Sequence, residues 1–555
     1  MSDSVLRFIP LGGVGTFGMN CAILEWDGGF LVIDAGIKIP QGNFPGVDLF
    51  LPDFTFILEN KDRLRGVVLT HGHDDHIGAL PFLLSRVDVP VYGTAFTLAL
   101  LRERMANGRG GTQGGTCDLR QILFQSPFGL DDLEIEALRV DHSVPDSACI
   151  IFRTPAGAVV HSGDFRMGRS AGCPTPSATW EGLRRLGEEG VLALICDSTN
   201  AEQPGVTPSE EEVDSTLRDL MRRAHGRVLV ATFGSHIQRM STVIGAASAA
   251  GRKVVLEGRR VIRNFTIARD MGYISPPRGA VVGAETLSPS EAGRAVYLMT
   301  GTQGEPFSAL SRVARGEHAG LKVREGDTVI LSSRIIPGNE LSIGQIIDDL
   351  LRLGAEVHYR DQPRVHVSGH GCAEEIRTMI SLTAPEHFVP VHGDYRNLVA
   401  CGRLAREAGL APDSIHVLDP GQILEMSPGG VRLAGSVDCG RFLVDGEMIT
   451  SLADPLLVQR RRMAREGLVV VVVALPRRGG RAAEPAVHSI GVGVGLAGEE
   501  LDLEAARTAR RIINQWREGT SSITEVKEEL TSAVRGVYRR ALDKRPTVLP
   551  VILEE

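Results

Sequence analysis

Short apolar runs, each closed by glycine, proline, asparagine or aspartate, dominate the first two hundred positions. Runs at 5–10, 20–25, 30–34 and 66–70 are too short for helices and read as strands. Further runs follow at 133–139, 149–154, 158–161 and 191–196. Residues 81–86 and 94–104 carry helical spacing, and the glycine-rich stretch 107–116 is expected to be a mobile loop. The turn Gly12-Gly13-Val14-Gly15 has no helical pattern behind it, so it reads as a hairpin-type turn rather than a phosphate loop. Many strands with few helices predict stacked sheets with helices outside.

The texture changes near residue 207. Pro208-Ser-Glu-Glu-Glu opens a helix, with its acids at the favourable N-terminal turn. Strands at 227–232, 253–257, 296–299 and 328–331 then alternate with helices at 237–250 and 342–353, the pattern of a parallel α/β unit. Residues 386–392 are strand-like, and a helix follows near 395–408. The tail reads as a small α/β domain, with strands at 468–475, 486–495 and 548–553 and helices near 500–517 and 524–542.

Composition narrows the class. A chain of 555 residues exceeds one core, so about two to four domains are expected. Hydrophobic content of 43 % with 23 % charged residues is that of an ordinary soluble globular protein. A net charge of −8 argues against a protein that coats nucleic acid, yet leaves room for a nuclease with a local groove and metal ions. Eight cysteines (21, 117, 149, 173, 196, 372, 401 and 439) form no Cys-x-x-Cys pair and read as buried free thiols of a reducing compartment. The first residues carry no signal-peptide core, and the longest apolar run, 468–476, is too short to span a bilayer. A cytoplasmic location without membrane attachment is the expectation.

The run Thr70-His-Gly-His-Asp-Asp-His76 carries the chemistry. His71, His73, Asp75 and His76 put three imidazoles and a carboxylate at the exit of a strand, where side chains splay toward one point. These donors suit Zn²⁺ and similar ions. One ion needs three or four ligands; four here, with more downstream, suggest a two-metal site. A solvated polar loop is the bland alternative. Asp34 ends a strand and is either a support for this loop or a turn residue. His142, Asp164, Asp197 and His392 each follow an apolar strand as well, which suggests convergence on one sheet edge. In Arg364-Val-His366-Val-Ser368-Gly369-His370 the small residues let backbone N–H groups approach a phosphate, and Ser and His add donors. His161 stays unassigned, while His358 and His416 are assigned to surface or core.

With these residues in view, the chain resembles the metallo-β-lactamase fold. Asp197, His370 and His392 match the further motifs of its β-CASP nuclease branch, and the similarity extends to the bacterial ribonuclease J family. That resemblance implies an αββα metallo-β-lactamase sandwich interrupted by an inserted α/β β-CASP domain, plus a small C-terminal α/β domain. The implied bounds are 1–206 and 365–445 for the split sandwich, 207–364 for the insert and 446–555 for linker and tail domain. It implies two divalent ions per subunit, Zn²⁺ or Mn²⁺. His71, His73 and His142 would hold one, Asp75, His76 and His392 the other, and Asp164 would bridge them.

Asp75, Asp164, Asp197 and His370 are then the catalytic candidates. Ser235, His366, Ser368, Gly369 and His370 would form the pocket for a terminal nucleotide and its phosphate. The implied activity is hydrolysis of single-stranded RNA from a 5′-monophosphate end, with endonuclease action beside it, leaving 5′-phosphate products. Messenger RNA decay and ribosomal RNA maturation are the implied roles, with a homodimer or larger assembly and RNA-decay proteins as partners. His392 is the feature that favours RNA over a DNA-directed relative. A lactam or thioester hydrolase would leave the insert without a role, a flavin-linked redox relative lacks a candidate flavin domain, and a dead scaffold would have lost ligands first.

One departure is local: the family's early glycine-rich turn often carries Glu and Lys where this chain has Thr16 and Met19. The basic clusters at 460–462, 477–478, 510–511 and 539–540 read equally as RNA contacts or solvated faces. The apolar run 468–475 is a candidate dimer element.

Overall fold

A computed structural model describes residues 5–40, 44–107, 117–167, 177–336, 338–359, 363–427, 430–451, 454–475, 483–493, 495–515 and 522–554. Most of the glycine-rich stretch 107–116, together with Cys173 and the Arg477-Arg478 cluster, lies outside the described residues. The chain forms two compact units, one of Met1–Ile39 with Leu49–Glu447, the other of Pro40–Asp48 with Met448–Glu555.

In the first unit the short runs become strands of two sheets. The eight-stranded sheet runs in the order Gly430–Ser436, Gln422–Ser427, Leu6–Gly12, Cys21–Trp26, Gly29–Ile33, Leu64–Val68, Val91–Gly93, Leu119–Gln121. The six-stranded sheet runs His387–Val391, Val191–Asp197, Gly157–His161, Ala148–Thr154, Leu133–Arg139, Phe128–Leu130. Their inner faces share one core, in which Phe8, Leu24 and Val68 of the first meet Ile135, Phe152 and Val389 of the second. The outer face of the second sheet is covered by helices Ser177–Glu189, Ala373–Thr383 and Tyr395–Glu407 through Leu183, Ile376 and Leu404. Helix Ala95–Asn107 packs on the outer strands Val91–Gly93 and Leu119–Gln121 of the first. This is the αββα sandwich, and its chain is interrupted as expected.

The interruption is a five-stranded sheet in the order Val254–Glu257, Val296–Met299, Val228–Ala231, Thr328–Leu331, Glu356–His358, parallel throughout. Its central strand Val-Leu-Val-Ala is buried at every position, the continuous apolar run that a sheet covered on both faces requires. Helix Glu210–Arg223 starts where the acids foretold it, with Ser209 Oγ accepting from Glu211 N.

The hairpin reading of residues 12–15 holds, since Leu6–Gly12 pairs antiparallel with Cys21–Trp26. The turn gains a second use, because Val14–Gly15 pairs with Gly393–Asp394 and ties it to the strand exit at His392. Helices Arg259–Asp270 and Ala373–Thr383 were not anticipated. Both carry the signal: buried Val261, Asn264, Phe265 and Ala268 in one, Ile376, Met379, Ile380 and Thr383 in the other, at three- and four-residue spacing.

In the second unit, Leu468–Leu475 is the central strand. It pairs antiparallel with Ala486–Ile490 and parallel with Thr547–Glu554. The strand expected to reach 495 stops at Ile490, because Gly491 turns the backbone with φ +70°. Helices Leu496–Gln515 and Ile523–Leu542 cover one face through Val469, Val471 and Val473. Of the basic clusters, Arg461 lies over the Phe44 ring at 4.7 Å, Arg460 donates to Gly46 O and Arg510 pairs with Glu484 at 2.7 Å.

Candidate metal centre

The strand Gly29–Ile33 delivers Asp34 at its end, and Asp34 builds the loop beside it. Its Oδ1 accepts from Thr70 N at 2.9 Å, and its Oδ2 from Thr70 Oγ1 at 2.7 Å and His76 Nδ1 at 2.7 Å. Asn20 holds the same loop from the other side, donating its backbone N–H and its amide to Asp75 O at 3.0 and 3.1 Å. At Gly36 a β-carbon would stand 1.6 Å from Asp75 O, so only glycine lets the two segments meet. His71 to His76 are thus fixed by backbone and hydrogen bonds before any ion is considered.

Imidazoles and carboxylates from six chain segments converge here. His71 Nε2 and His142 Nε2 lie 3.0 and 3.1 Å from His73 Nδ1, and 3.4 and 3.7 Å from Asp164 Oδ2. A tetrahedral ion with bonds near 2.0–2.1 Å has ligand–ligand edges of about 3.3 Å, so the spacing fits. The second group is Asp75, His76 and His392. Asp75 Oδ2 is 3.2 Å from His392 Nε2, and His76 Nε2 is 3.3 Å from Asp164 Oδ2. Asp164 therefore faces both groups with one oxygen. A third overlapping set joins Asp164 and His392 to Asp197 and His370.

Each histidine has a partner that fixes its tautomer. Thr70 Oγ1, already donating to Asp34, accepts from His71 Nδ1 at 3.0 Å. Gly369 O accepts from His142 Nδ1 at 2.7 Å, and Ser143 Oγ stands 3.2 Å from His73 Nε2. Thr199 Oγ1 donates to Asp197 Oδ1 and accepts from His392 Nδ1 at 2.6 Å. In the His71, His73 and His142 rings the other nitrogen is left with its lone pair toward the cluster, the arrangement that metal-binding histidines show.

Burial, reinforced by neighbouring imidazoles, holds His71 and His142 well below the usual imidazole range and His73 down to about 4. These three are neutral at pH 7, as ligands must be. Burial also opposes charge on His76 and His392, but Asp164 and the nearby carboxylates win and carry His76 up to about 10 and His392 well up. Asp34, Asp75, Asp164 and Asp197 thus crowd negative charge around two imidazoles. That is the charge a pair of divalent cations would balance, and the residues fit such ions.

Beside the cluster, His370 Nδ1 is 2.7 Å from Asp197 Oδ2, and the His370 ring stacks on His392 at 5.2 Å. Ser368 Oγ accepts from Asn200 Nδ2 at 2.8 Å, and Arg334 donates to Asn200 Oδ1 at 2.6 Å. Gly369 must be glycine, since a β-carbon would sit 2.7 Å from the His142 ring. Ser235 and His366 are placed differently. Ser235 is half-buried in the turn before helix Ile237–Ala249, and His366 has Arg239 and His236 as its electrostatic neighbours. Among the described residues no hydrogen bond or ion pair joins either of them to Ser368 or His370.

His161 is buried with Nδ1 accepting from Gly163 N, while His358 and His416 pair with Glu356 and His387 away from the cluster. Thr70, Thr199, Ser143, Asn20 and Asn200 escaped the sequence reading. A hydroxyl or amide carries no spacing signal, and only its neighbours in space give it a role.

Known families match the chain in the same order as its structure. The metallo-beta-lactamase superfamily covers residues 14–195, the ribonuclease J beta-CASP domain 225–350, the Zn-dependent metallo-hydrolase RNA specificity domain 355–418 and the ribonuclease J C-terminal domain 455–555. A crystal structure of an Enterococcus faecalis protein of unknown function shares the fold, with a TM-score of 0.52 at 16 % identity over 76 % of this chain and 99 % of that one. Ribonuclease J of Synechocystis is 36 % identical, over 98 % of this chain and 86 % of that protein. Ribonuclease J2 of Bacillus subtilis is 34 % identical over 99 % and 98 %, and ribonuclease J of Mycolicibacterium smegmatis 37 % over 99 % and 97 %. Identity at this level along the whole length, on a fold that gathers the expected donors, makes the chain a member of the ribonuclease J family of metal-dependent ribonucleases.

Proposed function

We propose that this protein degrades single-stranded RNA from a 5′-monophosphate end in the 5′-to-3′ direction, with endonuclease action as a second mode. The single observation that carries the reading is Asp164 Oδ2, which faces His71 and His142 on one side and His76 on the other at 3.3–3.7 Å. One carboxylate shared between two donor groups is what a two-metal phosphodiesterase needs. His71, His73 and His142 would hold one ion, Asp75, His76 and His392 the other, and Asp164 both. Such ions, Zn²⁺ or Mn²⁺, supply an activated water and neutralise charge growing on the phosphoryl oxygens.

The protein's own groups do the rest. Asp197, held well below the usual carboxylate range by His370 and His392 despite burial, keeps its negative charge and orients His370 through Nδ1. His370 Nε2 then carries the proton for the leaving oxygen. Ser368 Oγ accepts from Asn200 Nδ2 and His370 N, which leaves its own proton, beside the backbone N–H of Gly369, for the flanking phosphate. Hydrolysis by this route spares the 2′-hydroxyl, so the products carry 5′-phosphate and 3′-hydroxyl ends.

The proposed domain bounds are 1–206, 207–364, 365–445 and 446–555. The tail sheet leaves Leu549 and Leu553 about half exposed beside Val470 and Ala474, an apolar face that supports a homodimer. Messenger RNA decay and ribosomal RNA maturation, with partner proteins, are the proposed roles. Among the described residues no helix is long and apolar enough to cross a membrane. The buried free cysteines favour the cytoplasm.

The test is a matched series of internally labelled RNAs with 5′-monophosphate, hydroxyl or triphosphate ends, incubated with Mn²⁺ or Zn²⁺, with a chelator control and a DNA twin. Metal-dependent release of mononucleotides from the monophosphate RNA is expected. Internal fragments alone, 2′,3′-cyclic phosphate products, or preference for the DNA twin would overturn the reading.

A further inference from the structure

A chain of buried charges runs from the metal-ligand loop into the inserted domain. Arg166 Nε donates to Asp141 Oδ2 at 2.9 Å, and Asp141 is the residue before His142. Arg166 Nη1 reaches Glu210 Oε1 at 3.2 Å and also Ser368 O at 3.1 Å. Glu210 Oε2 in turn accepts from Arg239 Nη2 at 2.7 Å, and Arg239 Nη1 donates to Val365 O at 2.9 Å. All four side chains are at most 4 % exposed. The charges alternate, acid and base, so the chain is neutral as a whole.

Its geography matters more than its energy. Glu210 opens the first helix of the insert and Arg239 lies on the next one, helix Ile237–Ala249. Val365 and Ser368 belong to the segment that returns from the insert to the sandwich. Arg166 holds the two ends of one short path, because Gly369 O is the partner of His142 Nδ1. The insert, the Ser368–Gly369 segment and the His142 loop are thus tied through one guanidinium, that of Arg166, which Glu210 in turn joins to Arg239. Buried ion pairs are poor stabilisers, since desolvation offsets their attraction, and apolar replacements of similar volume are often neutral. What a rigid, alternating chain of this kind does supply is register between the parts it joins.

We propose that Glu210 is a positioning residue for RNA cleavage, which through Arg166 and Arg239 sets where Ser368–Gly369 and the insert stand relative to the His/Asp cluster. The proposal rests on the reading of Ser368–Gly369 as the phosphate-binding segment. A substrate long enough to touch both that segment and the cluster depends on the register. A small phosphodiester that needs only the cluster does not.

The test compares two substrates, 5′-monophosphate RNA and bis(p-nitrophenyl) phosphate, in the full-length metal-loaded protein. E210D keeps the charge but withdraws it by about 1.5 Å. E210M/R239M removes one anion and one cation together and leaves Arg166 with Asp141, so it serves if E210D does not fold. Melting temperature and bound metal are measured on each. The expected result is a fall in kcat on RNA of about tenfold to 100-fold, the scale of a misplacement near 1 Å. Hydrolysis of the small diester stays within about twofold of the parent protein. An equal loss on both substrates, or no loss on RNA, overturns the role of Glu210. S368A is run alongside. Undiminished RNA cleavage there overturns the phosphate-segment reading itself, whereas loss in S368A without loss in the Glu210 variants overturns only the positioning role.

Discussion

Asp34 Oδ2 lies 2.7 Å from His76 Nδ1, and the same oxygen accepts a 2.7 Å hydrogen bond from Thr70 Oγ1. One side chain at a strand end thereby orients two neighbours of the metal loop. From sequence alone Asp34 was equally a turn residue, and its φ of +57° suits a turn. Its hydrogen bonds decide the matter.

Replacing Asp34 by Ala should therefore weaken metal binding without removing a ligand. Loss of an outer partner costs about 10–100-fold in affinity. Metal content after dialysis against a graded chelator series, with circular dichroism to confirm the fold, checks this. Retention equal to the parent protein would show that His76 does not need Asp34.

Asp164 faces both donor groups, whereas His142 faces one. D164A should lose both ions and all RNA cleavage, and H142A should lose one. Elemental analysis of the purified variants gives the stoichiometry. Equal metal content in the two would remove the shared-carboxylate arrangement.

Asp197 and His370 form a hydrogen-bonded pair at 2.7 Å on the edge of the cluster. D197N and H370A should lower kcat by about 10²–10⁴-fold, the range for a lost general acid, with both ions still bound. The two residues also belong to a candidate ligand group with Asp164 and His392. If metal is lost together with activity, they are ligands rather than acid and orienter.

His236 gives a pH dependence. Burial and the adjacent Arg239 push its imidazole down to about 4, from an ordinary value of 6.5. Between those values the unfolded chain takes up the proton and the native protein does not. The contribution to stability is complete above pH 6.5 and is lost as pH falls toward 4. The slope from this one residue is about 1.4 kcal/mol per pH unit. Glu210, held far below its ordinary 4.5 by Arg239 and His236 in spite of burial, adds a loss of the same sign below that value. Urea midpoints in the presence of chelator, compared between the parent protein and H236Q, isolate the effect. Parallel curves from pH 6.5 to 4 would falsify it.

Gly36 has no β-carbon where Asp75 O comes close enough to overlap one. G36A should shift the metal loop, lowering stability by about 1–3 kcal/mol as overpacking does. Thermal melting and metal retention should fall together; an unchanged melting temperature would mean the loop yields freely.

Much of this was legible along the chain. Strand runs separated by turn residues predict stacked sheets with helices outside, and alternation of strands and helices after residue 207 predicts a parallel α/β unit, because burial on one face or both leaves its period in the sequence; that the second interrupts the first is implied by the family resemblance. Helices Arg259–Asp270 and Ala373–Thr383 carry that period too, with Asn264 the polar member inside the first stripe and Thr383 the end of the second. Ser235 and His366 are expected at the pocket from the family resemblance; Ser235 stands in the turn before helix Ile237–Ala249, and His366 has Arg239 and His236 as its electrostatic neighbours.

What the sequence by itself determined is the local part: His71, His73, Asp75 and His76 fall on one loop, and their chemistry admits few uses other than metal. What only the tertiary structure decided is the company they keep. Asp164, Asp197, His370 and His392 arrive from segments up to 317 positions away, and His392 Nε2 meets Asp75 Oδ2 at 3.2 Å. Thr70, Thr199, Asp34 and Arg166 acquire their roles there as well. A hydrogen bond depends on the direction of a side chain to a fraction of an ångström, and that direction is fixed by packing rather than by the order of residues along the chain.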